Sequence, residues 1–281
     1  MASIQVVTDS ACDLMPATAE EHDIRIVPLT IRFGSEEFVD RLELSTKEFW
    51  DRVTTGPDMP ETAAPSPGAF QQAFLDAAEA GSDGVLCVTI SSRLSATFQA
   101  ASTAAESVAD RIPVRVVDTL SVTMGQGLLA LAGAELVGRG TPLDDAAAAV
   151  ADMAGRTHVY GVLHSLDYLK RGGRIGGAAH LVGSLLSIKP VIEVRDGVVE
   201  VESKQRTRSR SLQYLANKSV DAGPLEWLAV ANGVAPDIDE VVTTVQKART
   251  AHELVLGELG PVVGAHAGPG SVGLCFITAA R

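Results

Sequence analysis

Four hydroxyl side chains follow one apolar run and have the composition of an anion-binding site. Residues 85–90 predict a buried strand, and Ser91, Ser92, Ser95 and Thr97 follow it at the start of a helical pattern. Free amides at a helix start point outward, and the helix dipole adds partial positive charge there. In an open parallel sheet, ligands bind just beyond the carboxyl ends of the strands. The segment therefore predicts an anion site, although serine capping of a helix would explain the same spacing.

Further polar residues lie in a predicted loop and at the ends of two predicted strands. Thr62 and Ser66 lie in residues 60–68, where the prolines indicate a loop, and Ser66 followed by proline is also typical of a helix N-cap. Asp9 and Asp118 each come at the end of a predicted strand. Either carboxylate could cap a helix or orient a site residue.

The second half of the chain contributes a histidine and a basic segment. His266 lies in residues 264–270, which predict a flexible polar turn before a strand. Residues 166–177 predict a short helix that ends at Gly172 or Gly173, just before Arg174. The segment matches neither a phosphate-binding P-loop nor a dinucleotide-binding glycine motif. The three cysteines are far apart and have no CxxC spacing, so we predict no metal site.

The elements that position these residues alternate in type. Predicted strands at residues 4–7, 24–31, 85–90 and 114–117 are separated by helical patterns such as residues 67–80. This alternation predicts an α/β fold with a parallel sheet between helices, an α/β/α domain over residues 1–158.

Residues 159–281 predict a second α/β domain, with a mixed sheet. An Asp-Gly pair at 196–197 between two apolar runs predicts a hairpin, since glycine tolerates the positive φ of a tight turn. Apolar runs at 227–230 and 272–277 surround a predicted helix at 237–250. These patterns predict a mixed sheet that helices cover on one face.

Composition excludes several classes of protein. The net charge of −12 over 281 residues disfavours binding to nucleic acid, and no apolar run is long enough for a membrane span. The first residues have no basic region before an apolar stretch, and the odd cysteine count fits a reducing compartment, so we expect a cytoplasmic protein. Residues 170–210 hold nine basic and four acidic residues. This local excess fits a solvated basic face, an anion site or an acidic partner.

Several motifs together resemble the DegV family across nearly the whole chain. They occur in the family's order at residues 8–14, 62–67, 90–100, 117–119, 166–175, 188–190 and 266–270. The resemblance implies a two-domain α/β protein that holds one long-chain fatty acid between its domains and uses no other cofactor. The best understood members are B subunits of bacterial fatty acid kinase. They present the acyl carboxylate to a separate ATP-dependent kinase subunit that forms acyl phosphate, so the resemblance implies a carrier that is not an enzyme alone.

The resemblance also implies roles for particular residues. The hydroxyls of Thr62 and Ser95 would bond the carboxylate, the backbone amide of Ala96 would lie beside them, and His266 would lie near the same head group. Arg174 would belong to the head-group network or to the docking surface for the kinase. The family usually has glycine at position 96, and alanine would be strained there only if φ were positive.

Two further features of the sequence concern the pocket and a partner. The family usually has Ser-Gln where residues 63–64 are Ala-Ala, a difference that affects the shape of the pocket. Arg206 and Arg208 lie in the basic segment and are assigned to partner docking.

Two alternatives remain open from the residues alone. One is an acyl hydrolase with Ser92 or Ser95 as nucleophile, His266 as base, and Asp9 or Asp118 as the orienting carboxylate. The GxSxG nucleophile elbow of such enzymes is absent. The other is a carrier like the dihydroxyacetone kinases, which would need a histidine placed to capture a carbonyl.

Overall fold

The described elements of the first half are seven strands and six α-helices. The computed structural model describes residues 3–181, 188–249 and 253–280. In chain order these elements are β1 (Ile4–Asp9), α1 (Pro16–Glu21), β2 (Ile24–Val27), β3 (Thr30–Phe33), β4 (Glu36–Val39), α2 (Thr46–Thr55), β5 (Pro60–Ala63), α3 (Pro67–Glu79), β6 (Gly84–Thr89), α4 (Thr97–Ser107), β7 (Val114–Asp118), α5 (Met124–Gly138) and α6 (Leu143–Ala154).

The second half adds six strands and four α-helices within the described residues. In chain order they are β8 (Thr157–Val162), α7 (Asp167–Arg171), β9 (Lys189–Arg195), β10 (Val198–Gln205), α8 (Arg208–Asp221), β11 (Leu225–Gly233), α9 (Ile238–Ala248), β12 (Val255–Glu258), α10 (Pro261–Ala267) and β13 (Ser271–Thr278).

The first domain is built on a parallel sheet with strand order β2-β1-β6-β7. Strand β6 is buried at every position because helices cover both of its faces. Phe70 and Phe74 of α3 pack with α4 against one face, while Leu128 and Leu129 of α5 belong to the core on the other. The predicted α/β/α arrangement with a parallel sheet is confirmed.

The second domain is built on a mixed sheet with strand order β10-β9-β8-β13-β11-β12. All neighbours are antiparallel except β11 and β12. Asp196 and Gly197 have φ values of 49° and 78°, as the predicted hairpin turn requires. Leu215 of α8 and Val245 of α9 pack against one face of this sheet. The predicted mixed sheet is therefore confirmed, while the boundary predicted near residue 158 lies inside β8 and stays a prediction.

A third, smaller sheet corrects two predictions. The single strand predicted over residues 24–31 is wrong, because β2 ends at Val27 and β3 begins at Thr30 in a different sheet. Pro28 lies between them and lacks the amide that a continuing strand would donate. Strand β3 pairs with β4 and β5 in an antiparallel sheet of three strands. The loop predicted at residues 60–68 is thus partly a strand, and this strand carries Thr62 opposite Ile31.

A buried carboxyl group connects the two domains. Asp13 is 1% exposed, and its backbone has a φ of 54°. Its Oδ2 accepts a hydrogen bond from Thr123 Oγ1 (2.7 Å), just before α5, and its Oδ1 accepts one from the Gly260 amide (2.9 Å), just before α10. Burial raises the pKa of Asp13 to about 7, against the lowering effect of these hydrogen bonds. The carboxyl group therefore fixes the start of α10 relative to the first domain.

This carboxyl group predicts a pH dependence of stability. Because its pKa is higher in the folded than in the unfolded chain, the folded state binds more protons between about pH 4 and pH 7. Its contribution to the free energy of unfolding is therefore full below about pH 4 and is lost as the pH rises to about 7. Urea unfolding across this range should show a shallower pH dependence for Asp13→Asn than for the unsubstituted protein. Parallel stability curves would contradict the raised pKa.

Candidate functional site

The serine segment lies between the end of β6 and the start of α4. The backbone turns at Ser91, whose carbonyl accepts hydrogen bonds from the amides of Leu94 (3.0 Å) and Ser95 (3.1 Å). Ser95 Oγ lies 2.8 Å from Thr97 Oγ1 and accepts a hydrogen bond from the Thr97 amide (3.3 Å). Helix α4 begins at Thr97, and the amides of its first turn have no acceptor within the helix. The segment therefore places Ser95 beside helix-start amides that have no partner within the helix.

Ala96 occupies the N-cap position of α4 without backbone strain. Its φ is −74° and its ψ is 2°, values that any L-residue adopts. The glycine that the family usually has at this position is therefore not required for the backbone conformation of this chain. The amide of Ala96 stays available at the start of α4.

The first two serines of the segment have other partners. Ser91 is fully buried, and its Oγ donates to the carbonyl of Gly197 (2.8 Å) in the β9–β10 turn. Arg93 Nη1 donates to the carbonyl of Asp196 in the same turn (2.8 Å). Ser92 is exposed, and its amide donates to Asp118 Oδ1 (3.0 Å). The hairpin of the second domain is thus held against the serine segment of the first.

Thr62 and His266 are in contact although they are 204 residues apart in the sequence. Thr62 Oγ1 lies 2.9 Å from Nε2 of His266. The flexible turn predicted at residues 264–270 is wrong, because residues up to Ala267 form α10 and only Gly268 and Gly270 have positive φ. Position 264 of this helix needs a glycine because a Cβ there would clash with Phe49 and Trp50 of α2. The glycine therefore allows close helix packing where the pattern suggested a turn.

The imidazole of His266 is neutral near pH 7. Its pKa is lowered to about 4, mainly because the ring is buried and to a smaller extent because the positive charge of Arg174 lies nearby. The ring packs on Gly172, where a Cβ would overlap Nδ1. Nδ1 is buried and has no hydrogen-bond partner among the described residues. The ring therefore has hydrogen-bonding capacity that the protein itself does not use.

Arg174 joins the second domain to the serine segment. Helix α7 ends at Arg171, and Gly173 has a φ of 70°, so the predicted helix end at the glycine pair is confirmed. Arg174 Nε donates to the carbonyl of Leu94 (3.0 Å), and its Nη1 donates to the carbonyl of Gly172 (2.6 Å). The guanidinium thus holds the residue that precedes Ser95. Sequence reasoning missed this contact, since a backbone carbonyl has no signature in the sequence.

A cavity between the domains brings four of the predicted residues together. The empty space between its lining residues is about 860 Å³, part of which is open to solvent. Thr62, Ser95, Arg174 and His266 line it. Most of the remaining lining is aliphatic and comes from both domains, for example Leu29, Ile90, Val122, Leu163, Ile192 and Val199. A cavity with one polar cluster and aliphatic walls fits an elongated apolar ligand with an anionic end.

The structure does not bring the predicted hydrolase carboxylates to His266. Asp9 accepts hydrogen bonds from the amides of Ala11 (3.0 Å) and Ile90 (2.8 Å), and its Oδ2 also accepts one from Gln126. Asp118 Oδ1 accepts hydrogen bonds from the backbone amides of Ser92 (3.0 Å) and Leu120 (3.1 Å). Both carboxylates therefore stabilise turns in the part of the chain that the structure describes.

The two arginines assigned to docking lie outside the cavity lining. Arg206 is exposed. Arg208 Nε and Nη2 form two hydrogen bonds with the Asp237 carboxylate, at 2.6 and 2.8 Å. Arg208 therefore has a structural partner that its position in the sequence did not indicate.

Two classes of feature are not found in the described residues. Across residues 3–181, 188–249 and 253–280, no group of three or more His, Cys, Asp or Glu side chains could hold a metal ion. No helix in these same ranges is both long and apolar enough to cross a membrane.

The chain is similar to members of one protein family over nearly its whole length. The model of the DegV family, described as uncharacterised proteins, matches residues 3–279. A DegV domain-containing protein of Streptomyces coelicolor is 35% identical, over 96% of this chain and 97% of that protein.

Two solved structures with similar folds are described as fatty acid-binding proteins. A DegV family protein of Thermus thermophilus, described by its fatty acid binding, is 30% identical with a TM-score of 0.88, over 99% of this chain and all of that one. A stearic acid-binding protein of Eubacterium ventriosum is 27% identical with a TM-score of 0.89, over 99% of this chain and 98% of that one.

The environment of His266 can be tested by NMR titration. We expect the imidazole to titrate near pH 4, well below its ordinary pKa of 6.5. Arg174→Gln should raise this pKa because the positive charge beside the ring is lost, while burial still holds it below 6.5. The control Arg171→Gln removes an equal charge from an exposed neighbour and should leave the titration unchanged. A titration near 6.5 in the unsubstituted protein would contradict the described burial.

Proposed function

The chain belongs to the DegV family, and on that premise we propose that it binds one long-chain fatty acid between its two domains. The observation that carries this proposal is the cavity in which Thr62, Ser95, Arg174 and His266 form one polar cluster within aliphatic walls. Related structures described as fatty acid-binding proteins support it.

The polar cluster suits a carboxylate. An unpaired anion in an apolar cavity would lose its hydration without compensation, so converging donors are required. In this proposal the hydroxyls of Thr62 and Ser95, the amide of Ala96 and an N–H of the His266 ring donate to the carboxylate. The positive charge of Arg174 lies close enough to lower the pKa of His266, so it also favours an anion at this position.

The aliphatic walls suit the alkyl chain. Each buried methylene contributes about 0.8 kcal/mol before the cost of ordering the ligand and the side chains around it. A chain of about sixteen carbons can therefore bind tightly enough to remain bound during purification. Hydrophobic burial would supply most of the affinity, and the polar cluster would fix the orientation.

The second part of the proposal is presentation to a kinase. In this proposal a separate ATP-dependent subunit docks on the basic segment 170–210, and a carboxylate oxygen of the bound acid attacks the γ-phosphorus of ATP. The bond from that phosphorus to the leaving ADP oxygen breaks, and acyl phosphate forms. A cytoplasmic location, where ATP is available, follows from this role. Support comes from the family resemblance and from exposed basic residues such as Arg206.

Native mass spectrometry tests the ligand and its site together. Protein purified from its host should carry one equivalent of a long-chain fatty acid, which solvent extraction identifies. Thr62→Ala combined with Ser95→Ala should lower the affinity for that acid at least about tenfold, because two hydrogen bonds to a charged group are lost. Ser92→Ala is the matched control, because this serine is exposed in the same segment and does not line the cavity. Unchanged affinity in the double variant would overturn the carboxylate site.

Charge reversal tests the docking surface. Arg206→Glu should slow phosphorylation of the bound acid by the kinase subunit several-fold while fatty acid affinity stays constant, because electrostatic steering of the partner is lost. Arg111→Glu serves as the control. Arg111 is exposed beyond the far end of α4, a helix about 16 Å long that starts at the site. Equal rates for Arg206→Glu and the control would count against docking on this face.

A further inference from the structure

Two glycines lie opposite each other on the cavity face of the six-stranded sheet. Gly161 of β8 and Gly273 of β13 are register partners, and both line the cavity. Ile192 is the partner of Gly161 on one side, and Ala231 is the partner of Gly273 on the other. Because side chains alternate along a strand, Gly161 shares its face with Val159, which packs in the core between the domains. The row of four residues therefore has no side chain at its centre.

Neither glycine is required by a helix that packs on the sheet. A Cβ on Gly161 would first meet Ile192 Cγ1 at 3.2 Å, and one on Gly273 would first meet Ala231 Cβ at 3.3 Å. These nearest atoms belong to the same sheet, and both contacts are tight, so Ile192 or Ala231 must shift by a few tenths of an ångström to admit a methyl group. The methyl group then projects into the cavity that both glycines line.

Gly125 of α5 shows the contrasting case. A Cβ on this glycine would overlap the Cγ2 of Val159, so α5 needs a glycine to pack on the sheet. Val159 is only two residues from Gly161 on the same strand. At the glycine row, the nearest atoms to either added Cβ come from the sheet itself. The row is therefore a recess in the cavity wall next to a tightly packed contact.

We propose that Gly161 and Gly273 form the floor of the acyl-chain channel and determine the length of chain that the protein accepts. This inference rests on the proposed fatty acid binding. Ser271 Oγ donates to the carbonyl of Ala267 (2.8 Å), the neighbour of His266 in α10. Gly273 lies two residues, about 7 Å of strand, beyond Ser271. The alkyl chain therefore crosses the glycine row at a distance from the head group, and a wider side chain there narrows its path.

The test is an affinity series over saturated fatty acids from octanoic to stearic acid, measured by calorimetry. For the unsubstituted protein, affinity should rise by roughly fourfold per methylene before ordering costs. Gly161→Ala and Gly273→Ala should follow this curve for short acids and then stop rising, with a loss of about tenfold or more at stearic acid. The carbon number at which the curves separate locates the row along the chain.

Gly138→Ala is the matched control. Gly138 ends α5, and an added Cβ there would meet no atom within 4 Å. This variant should reproduce the unsubstituted curve at every length. Thermal unfolding of each ligand-free variant shows whether the fold accommodates the substitution. If one of the two glycine variants does not fold, the affinity series of the other variant tests the proposal.

The outcomes separate this inference from the function on which it rests. If the unsubstituted protein binds none of these acids, the proposed function fails and the inference fails with it. If the unsubstituted protein binds but the variant curves coincide with it, only the glycine floor is overturned. An equal loss at every chain length, octanoic acid included, would indicate strain at the polar cluster and would likewise overturn the floor.

Discussion

An anion can be buried beside aliphatic side chains only where hydrogen-bond donors replace its water, and the donors proposed for this protein come from distant parts of the chain. Thr62 lies on β5, Ser95 precedes α4, and His266 lies on α10, so no local segment could form the cluster. Other contacts place each element. Strand β5 pairs with β3, and α10 is fixed by the bond from the Gly260 amide to Asp13. The two-domain arrangement is therefore a requirement of the proposed site as well as a way to build the core.

The site could be predicted from the sequence only in part. The pattern of hydroxyls after residues 85–90 predicted an anion site from local physics, and that prediction needed only one strand and one helix start. The partnership of Thr62 with His266 spans most of the chain, and only the family resemblance suggested it. Arg174 shows a further limit, because the carbonyl of Leu94 that it contacts is a backbone group. Such contacts depend on the folded path of the chain and carry no residue-type signal.

The fold was more predictable where the determining forces are local. The buried run at 85–90 and the Asp-Gly turn at 196–197 gave a strand and a hairpin in the expected places. The errors have physical causes. The apolar run at residues 24–31 has no break in composition, but Pro28 ends one strand and the next strand joins a different sheet. Strand β5 forms because β3 supplies its hydrogen-bond partners. Gly264 indicated a turn, whereas tertiary packing against α2 requires a glycine inside a helix.

The division of the cavity between two domains has a consequence for the protein as a whole. The bonds from Ser91 to Gly197 and from Arg174 to Leu94 both connect the domains beside the cavity. A ligand that contacts both walls adds its binding energy to these bonds and to the folded state, by mass action. Under the proposed function, the population and lifetime of the folded protein therefore follow the free concentration of fatty acid. The abundance of such a carrier would then report the lipid supply without a separate sensor.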